Sequence, residues 1–186
     1  MVALFVILAV AAVAAVAVLL TYNGLVRVRN ACTNAWAQID VQLKRRYDLI
    51  PNLVETVKGY AAHERGTFEA VTIARAHAIN AGQNGSLPQR AEAENALGGT
   101  LKSLFAVAEA YPDLKANQNF LALQEELAST ENGVAYARQF FNDAVLRYNN
   151  KIQVLPTSLL AGRMHLTARE FFATASAERD PIKVQF

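Results

Sequence analysis

The sequence predicts an all-α protein, an N-terminal transmembrane helix followed by an elongated antiparallel helix bundle. Three observations predict it. Val2 to Leu20 carries no charged or polar side chain. Beyond it, apolar residues recur at steps of three and four, the spacing that puts them on one helix face. Of the 186 residues 34 are alanine, against 9 Gly and 5 Pro, a balance that favours helix over a turn-rich sandwich. The chain is 53% hydrophobic and only 18% charged, too apolar for disorder. All of its charged residues follow the apolar run, which divides the composition between a lipid-soluble segment and a water-soluble body.

Nineteen apolar residues at 1.5 Å each span about 28 Å, close to the hydrocarbon thickness of a bilayer. Residues 2–20 are therefore expected to cross the membrane once and to make the lipid bilayer the first partner. No Lys or Arg precedes the run, and Thr21-Tyr22-Asn23-Gly24 is a poor cleavage site, so an uncleaved anchor is expected rather than a signal peptide. A lipoprotein would need its cysteine at the end of the run, whereas Cys32 lies beyond Arg27, Arg29 and Asn30. Those two arginines flank the run on its carboxyl side, where positive charge favours the cytoplasm. The body, 21–155 as the bundle and 156–186 as a tail, is expected to face that compartment.

From Leu25 one stripe continues through Val28, Cys32, Trp36, Ile39, Leu43, Tyr47, Ile50, Val54, Val57 and Ala61. Pro51 removes one donor and disfavours helix at Ile50, yet the stripe keeps its phase across it, so a kink is expected rather than a stop. Helix resumes near Thr67 and fades into Asn80-Ala81-Gly82-Gln83-Asn84-Gly85, read as the loop that reverses the chain. Ser86 with Gln89 three residues on reads as a capping box that opens a third helix. Its core face is Leu97, Leu101, Leu104, Phe105 and Ala108; Gly98-Gly99 weakens its middle, and Tyr111-Pro112-Asp113 ends it. The last long helix carries Phe120, Leu123, Leu127, Thr130, Val134, Ala137, Phe141, Val145, Tyr148 and Ile152. Leu155-Pro156 stops it, and the tail, with Leu159, Leu160, Phe171 and Phe172, is too apolar to lie free in water and is expected to pack back on the bundle.

Tyr22-Asn23-Gly24-Leu25-Val26, the run from Ala35-Trp36 through Lys44-Arg45-Arg46-Tyr47-Asp48 to Ile50-Pro51-Asn52-Leu53-Val54, and Val57-Lys58-Gly59-Tyr60 resemble the LemA family. The resemblance returns at Glu131-Asn132, Ala137-Arg138, Phe140-Phe141-Asn142 and Arg147-Tyr148-Asn149, and again at Pro156, Ala161, Pro181, Val184 and Phe186. Arg163-Met164-His165-Leu166 departs from the more aromatic segment usual there. The resemblance implies a bacterial single-pass protein of the cytoplasmic membrane with a four-helix bundle body. It implies no established enzymatic activity and brings no catalytic residues.

Candidate chemistry is sparse. His63-Glu64-Arg65-Gly66-Thr67 has threonine where a zinc-protease helix needs its second histidine. Tyr60, Ala74 and Gly162 stand where di-iron Glu-x-x-His motifs need glutamate, three residues before His63, His77 and His165. One cysteine excludes a disulfide framework or a multi-cysteine metal site, and Cys32 lies on the apolar stripe as an inert buried thiol. Gly98-Gly99 alone is no phosphate cradle. A net charge of +2 with scattered basic residues leaves no nucleic-acid footprint. No catalytic, cofactor or metal residues are therefore assigned.

Lys44-Arg45-Arg46 lies about 36 Å along a straight helix from Leu20, out of reach of lipid, and either forms a solvated face or meets acidic residues such as Glu125-Glu126. Asp40, Asp48, Asn52, Asn132, Arg138 and Asn149 sit beside core positions and either tie helices together or form a partner surface. Lys44, Arg45, Arg46, Asp48, Asn52 and Arg138 are taken as the candidate interaction surface. The function expected is an interaction or scaffold module at the bacterial inner membrane, acting through a homo-oligomer or a membrane-protein partner. The alternatives are an accessory subunit of a membrane enzyme such as a protease, or an enzyme with an unrecognised site.

Overall fold

The computed structural model describes residues 1–172. Among these the chain is all-α, with helices α1 (Val2–Lys58), α2 (Arg65–Asn84), α3 (Leu87–Glu109), α4 (Pro112–Lys115), α5 (Gln118–Gln153) and α6 (Thr157–Arg163) and no strand. The first nineteen residues of α1, 2–20, are exposed, and this stretch is long and apolar enough to cross a membrane. The described residues divide into two compact units, Met1–Ile39 with Ala137–Phe171, and Asp40–Tyr136 with Phe172.

In the first unit α1 and α5 run antiparallel: Trp36 meets Phe141 edge to face at 5.1 Å, while a Cβ placed on Gly24 would lie 3.8 Å from Cε of Lys151. The three-four repeat buries Leu25, Cys32, Ala35 and Ile39 from α1 and Ala137, Phe141, Val145 and Tyr148 from α5. Trp36 is only half-buried. After α6 the chain lies along α5 and replaces lost helical hydrogen bonds with side-chain ones. Asn149 Nδ2 donates to the Arg169 carbonyl and Asn149 Oδ1 accepts from the Arg169 N–H, both at 2.9 Å, and the Tyr148 hydroxyl donates to the Thr167 carbonyl at 3.1 Å. Of the tail expected to pack back, residues 173–186 lie outside the described residues.

In the second unit the core comprises Ile50, Leu53 and Val57 from α1, Phe68 and Val71 from α2, Leu97, Leu101 and Leu104 from α3, Leu114 from α4, and Phe120 and Leu127 from α5. Helix α1 passes through Pro51 without stopping. Proline has no N–H to offer the carbonyl of Tyr47 four residues back, and Arg75 Nε of α2 donates to that carbonyl instead, at 2.8 Å.

Two boundaries differ from the sequence expectation. Asn80 to Asn84 is helix and not loop, because Asn84 Nδ2 donates to Asn80 Oδ1 at 2.8 Å one turn back. The reversal is confined to Gly85 and Ser86. A Cβ on Gly85 would come within 2.7 Å of the Ala81 carbonyl oxygen, so the tight exit requires glycine. Ser86 and Gln89 then form the expected capping box, with Gln89 Oε1 accepting the Ser86 N–H at 2.8 Å. The second difference is α4, a single turn that Pro112 opens where the sequence indicated only an end.

Candidate functional site, a buried ionic cluster

The second unit buries charge. Arg46 of α1 is 2% exposed and Glu94 of α3 is 1% exposed, so both depend on partners within the protein. Arg46 Nη1 stands 3.4 Å from Glu94 Oε2, and Nη2 stands 2.9 Å from Glu131 Oε2 on α5. The Tyr47 hydroxyl donates to Glu94 Oε1. Burial, and then the hydrogen bond to Glu94, push the Tyr47 phenol well above its ordinary value. It therefore stays neutral, a donor and not a base. A turn away along α3, Arg90 pairs with Asp40.

Glycine makes the cluster possible. A Cβ on Gly98 would already lie 3.4 Å from Arg46 Nη2, so a larger side chain there would push the guanidinium away from its carboxylates. Beside it lies a cleft of about 490 Å³, lined by Arg46, Gly98, Leu101, Lys102, Phe105 and Glu131 among others. Arg46 Nε is buried without a hydrogen-bond partner among the described residues.

This geometry corrects one member of the candidate interaction surface. Arg46 belongs to the interior, because it is 2% exposed and its guanidinium stands between Glu94 and Glu131. Of the other five, Lys44 and Asp48 are exposed and paired with each other at 2.6 Å, Arg45 reaches across to Glu126, and Asn52 is exposed. Arg138 is half-buried and belongs to the first unit. The residues that sequence reasoning missed are Arg90 and Glu94. Their signal was present: 90, 94, 97, 101 and 104 step by four, three, four and three, so both charges stand in phase with the α3 core.

Elsewhere the reactive side chains are dispersed. Among the described residues no three His, Cys, Asp or Glu side chains gather as a metal ion would need. His63, His77 and His165 are exposed. Cys32 is fully buried, and burial raises its thiol pKa more than the neighbouring Arg169 lowers it, which makes it a poor nucleophile.

A helical protein with an apolar leading helix and an ion-paired interior is thereby defined, and comparison gives its family. The family model for LemA matches residues 35–186, and the chain belongs to the LemA family. It is 26% identical to magnetosome protein MamQ 2 of Paramagnetospirillum magneticum, over 97% of this chain and 75% of that protein. It is 27% identical to protein LemA of Metamycoplasma hominis, over 84% of this chain and 71% of the relative. Magnetosome protein MamQ of Magnetospirillum gryphiswaldense is 24% identical over 88% of this chain and 69% of its own length. None of these names is that of an enzyme.

Proposed function

We propose that the protein is a membrane-anchored interaction module, held by residues 2–20 in the bacterial cytoplasmic membrane with its body in the cytoplasm, and that it works by contact and not by catalysis. The observation that carries this reading is the continuity of α1, one helix from a fully exposed apolar stretch into the packed body. Because the anchor and the body share one helix, the body is tethered at the membrane surface. Orientation follows from charge: Arg27 and Arg29 lie within nine residues of the apolar run, where basic side chains hold a segment on the cytoplasmic side.

The ionic cluster supports a structural reading of the interior. Its carboxylates are engaged by Arg46 and Tyr47, which leaves the exposed polar face of α1, with Lys44, Arg45, Asp48 and Asn52, as the surface offered to a second copy or to a membrane-protein partner. Confinement to a membrane raises the local concentration, so a modest contact becomes populated. Crosslinking in intact membranes, paired with sizing of the detergent-solubilised protein, tests the proposal. The expected result is a discrete crosslinked species that is lost when Arg45 and Asn52 are replaced by aspartate. A strict monomer with no crosslinked partner would overturn it.

A further inference from the structure

Resting on the reading of residues 2–20 as an anchor, we propose that the corner between α5 and α6 is a second membrane contact, in which Val154, Leu155 and Leu159 enter the acyl boundary beside the anchor while Lys151 and Arg163 meet anionic lipid headgroups.

The register of the first unit places that corner. Helix α5 runs antiparallel to α1, with Phe141 at Trp36 and Lys151 at Gly24. The last helical residues beyond Lys151 each carry the chain about 1.5 Å further along the axis, as far as Gln153, with the Val154 N–H still bonded to the Asn150 carbonyl and the turn following at Leu155. Leu155 thus comes level with about Leu20, the last residue of the apolar run. The chain turns there and not deeper. Thr157 Oγ1 donates to the carbonyls of Lys151 at 2.5 Å and Val154 at 2.6 Å, which ties the start of α6 to the last turn of α5. Ala161 is buried, and the α6 residues turned the other way are left outside.

What they leave outside is apolar. Val154 is 51% exposed, Leu155 75% and Leu159 74%, values matching the 61% and 68% of Leu4 and Leu20 in the anchor itself. In water three such side chains at one corner would be a standing cost of exposure. At the edge of a bilayer they would be covered by acyl chains, and the anchor holds them there. Charge agrees with this occupant. The first unit carries seven basic residues against two acidic ones, Asp143 and Glu170, and has no acidic residue from Ala144 to Ala168 or anywhere in its α1 segment. Asp40–Tyr136 of the second unit is net acidic, so among the described residues the basic excess is confined to the unit that holds the anchor. Basic side chains beside a short apolar insertion are the pattern that binds an anionic interface.

The test uses the full chain reconstituted in vesicles of phosphatidylcholine with phosphatidylglycerol, some lipids carrying bromine on the upper acyl chain. In a Cys32→Ala background, single cysteines replace Val13, Leu155, Leu159 or Thr33 in turn and carry an environment-sensitive fluorophore. Bromine is expected to quench the probe at Leu155 and Leu159 several-fold more than at exposed Thr33, with quenching at Val13 reporting the anchor. In vesicles without phosphatidylglycerol, quenching at Leu159 is expected to fall while that at Val13 holds. Quenching at both corner positions no greater than at Thr33, with Val13 quenched, would overturn the second contact and leave the anchor standing. An unquenched Val13 would overturn the anchor and the proposal together.

Discussion

Arg46 and Glu94 show how one pair of residues settles the packing of α1 against α3. Each is buried, and removing either leaves the desolvation of the other only partly compensated. Glu94→Ala is expected to cost about 3 to 5 kcal/mol in urea unfolding, tempered by the second carboxylate that Glu131 keeps on Arg46. The double variant Arg46→Met with Glu94→Leu is expected to recover most of this, because an apolar pair of similar volume needs no charge compensation. It should stay below the wild type by about 1 kcal/mol, since the Tyr47 hydroxyl loses its acceptor. A double variant as unstable as Glu94→Ala would show that the pair does not act as a unit. At this scale the sequence was only partly legible. Leu25, Cys32, Ile39, Leu43 and Val57 are buried where periodicity puts them. A basic triplet looks solvated, so the sequence places Arg46 at the surface and gives half-buried Tyr47 the core position that Arg46 shares. Only the acidic partners, 48 and 85 residues away in sequence, distinguish a buried arginine from an exposed one.

The elements were more legible than their junctions. The three-four repeat runs for many turns in α1 and α5, and such repetition survives a local error. The ends depend on single contacts: the Asn80–Asn84 pair extends α2 by a turn, and α4 exists because Pro112 opens it over a buried Leu114. Pro51 illustrates how a helix interior accommodates a breaker. Its missing N–H frees the Tyr47 carbonyl, and Arg75 of α2 fills the place, so the residue that weakens α1 also ties it to α2. Arg75→Ala is therefore expected to destabilise the wild type by about 1 kcal/mol. In a Pro51→Ala background, where the helix restores its own donor, the same change should cost appreciably less. Thermal unfolding of the four proteins in the cycle measures the coupling. Equal losses in both backgrounds would mean that Arg75 acts through packing alone.

At the scale of the whole molecule the decisive contrast is between a leading segment that packs on nothing and a body that closes on itself. None of residues 2–20 is buried, whereas Leu25, only five positions later, is fully buried. The division into two units was not legible, because it depends on which distant segments meet: residues 1–39 join 137–171, and periodicity within one helix carries no information about its partner. Deleting residues 1–20 removes no buried contact from either unit. The remaining chain is therefore expected to be helical, to unfold cooperatively and to stay dispersed without detergent, as circular dichroism and sedimentation would report. It would still carry Leu155 and Leu159 with their basic neighbours. A contact of that size without an anchor is weak and reversible, and counter-ions screen its electrostatic part. The truncated chain should thus co-sediment partially with phosphatidylglycerol vesicles at low salt and be released as salt rises, while the full chain remains bound at every salt concentration. An aggregated, non-helical fragment would show that the body needs the membrane or a partner in order to fold.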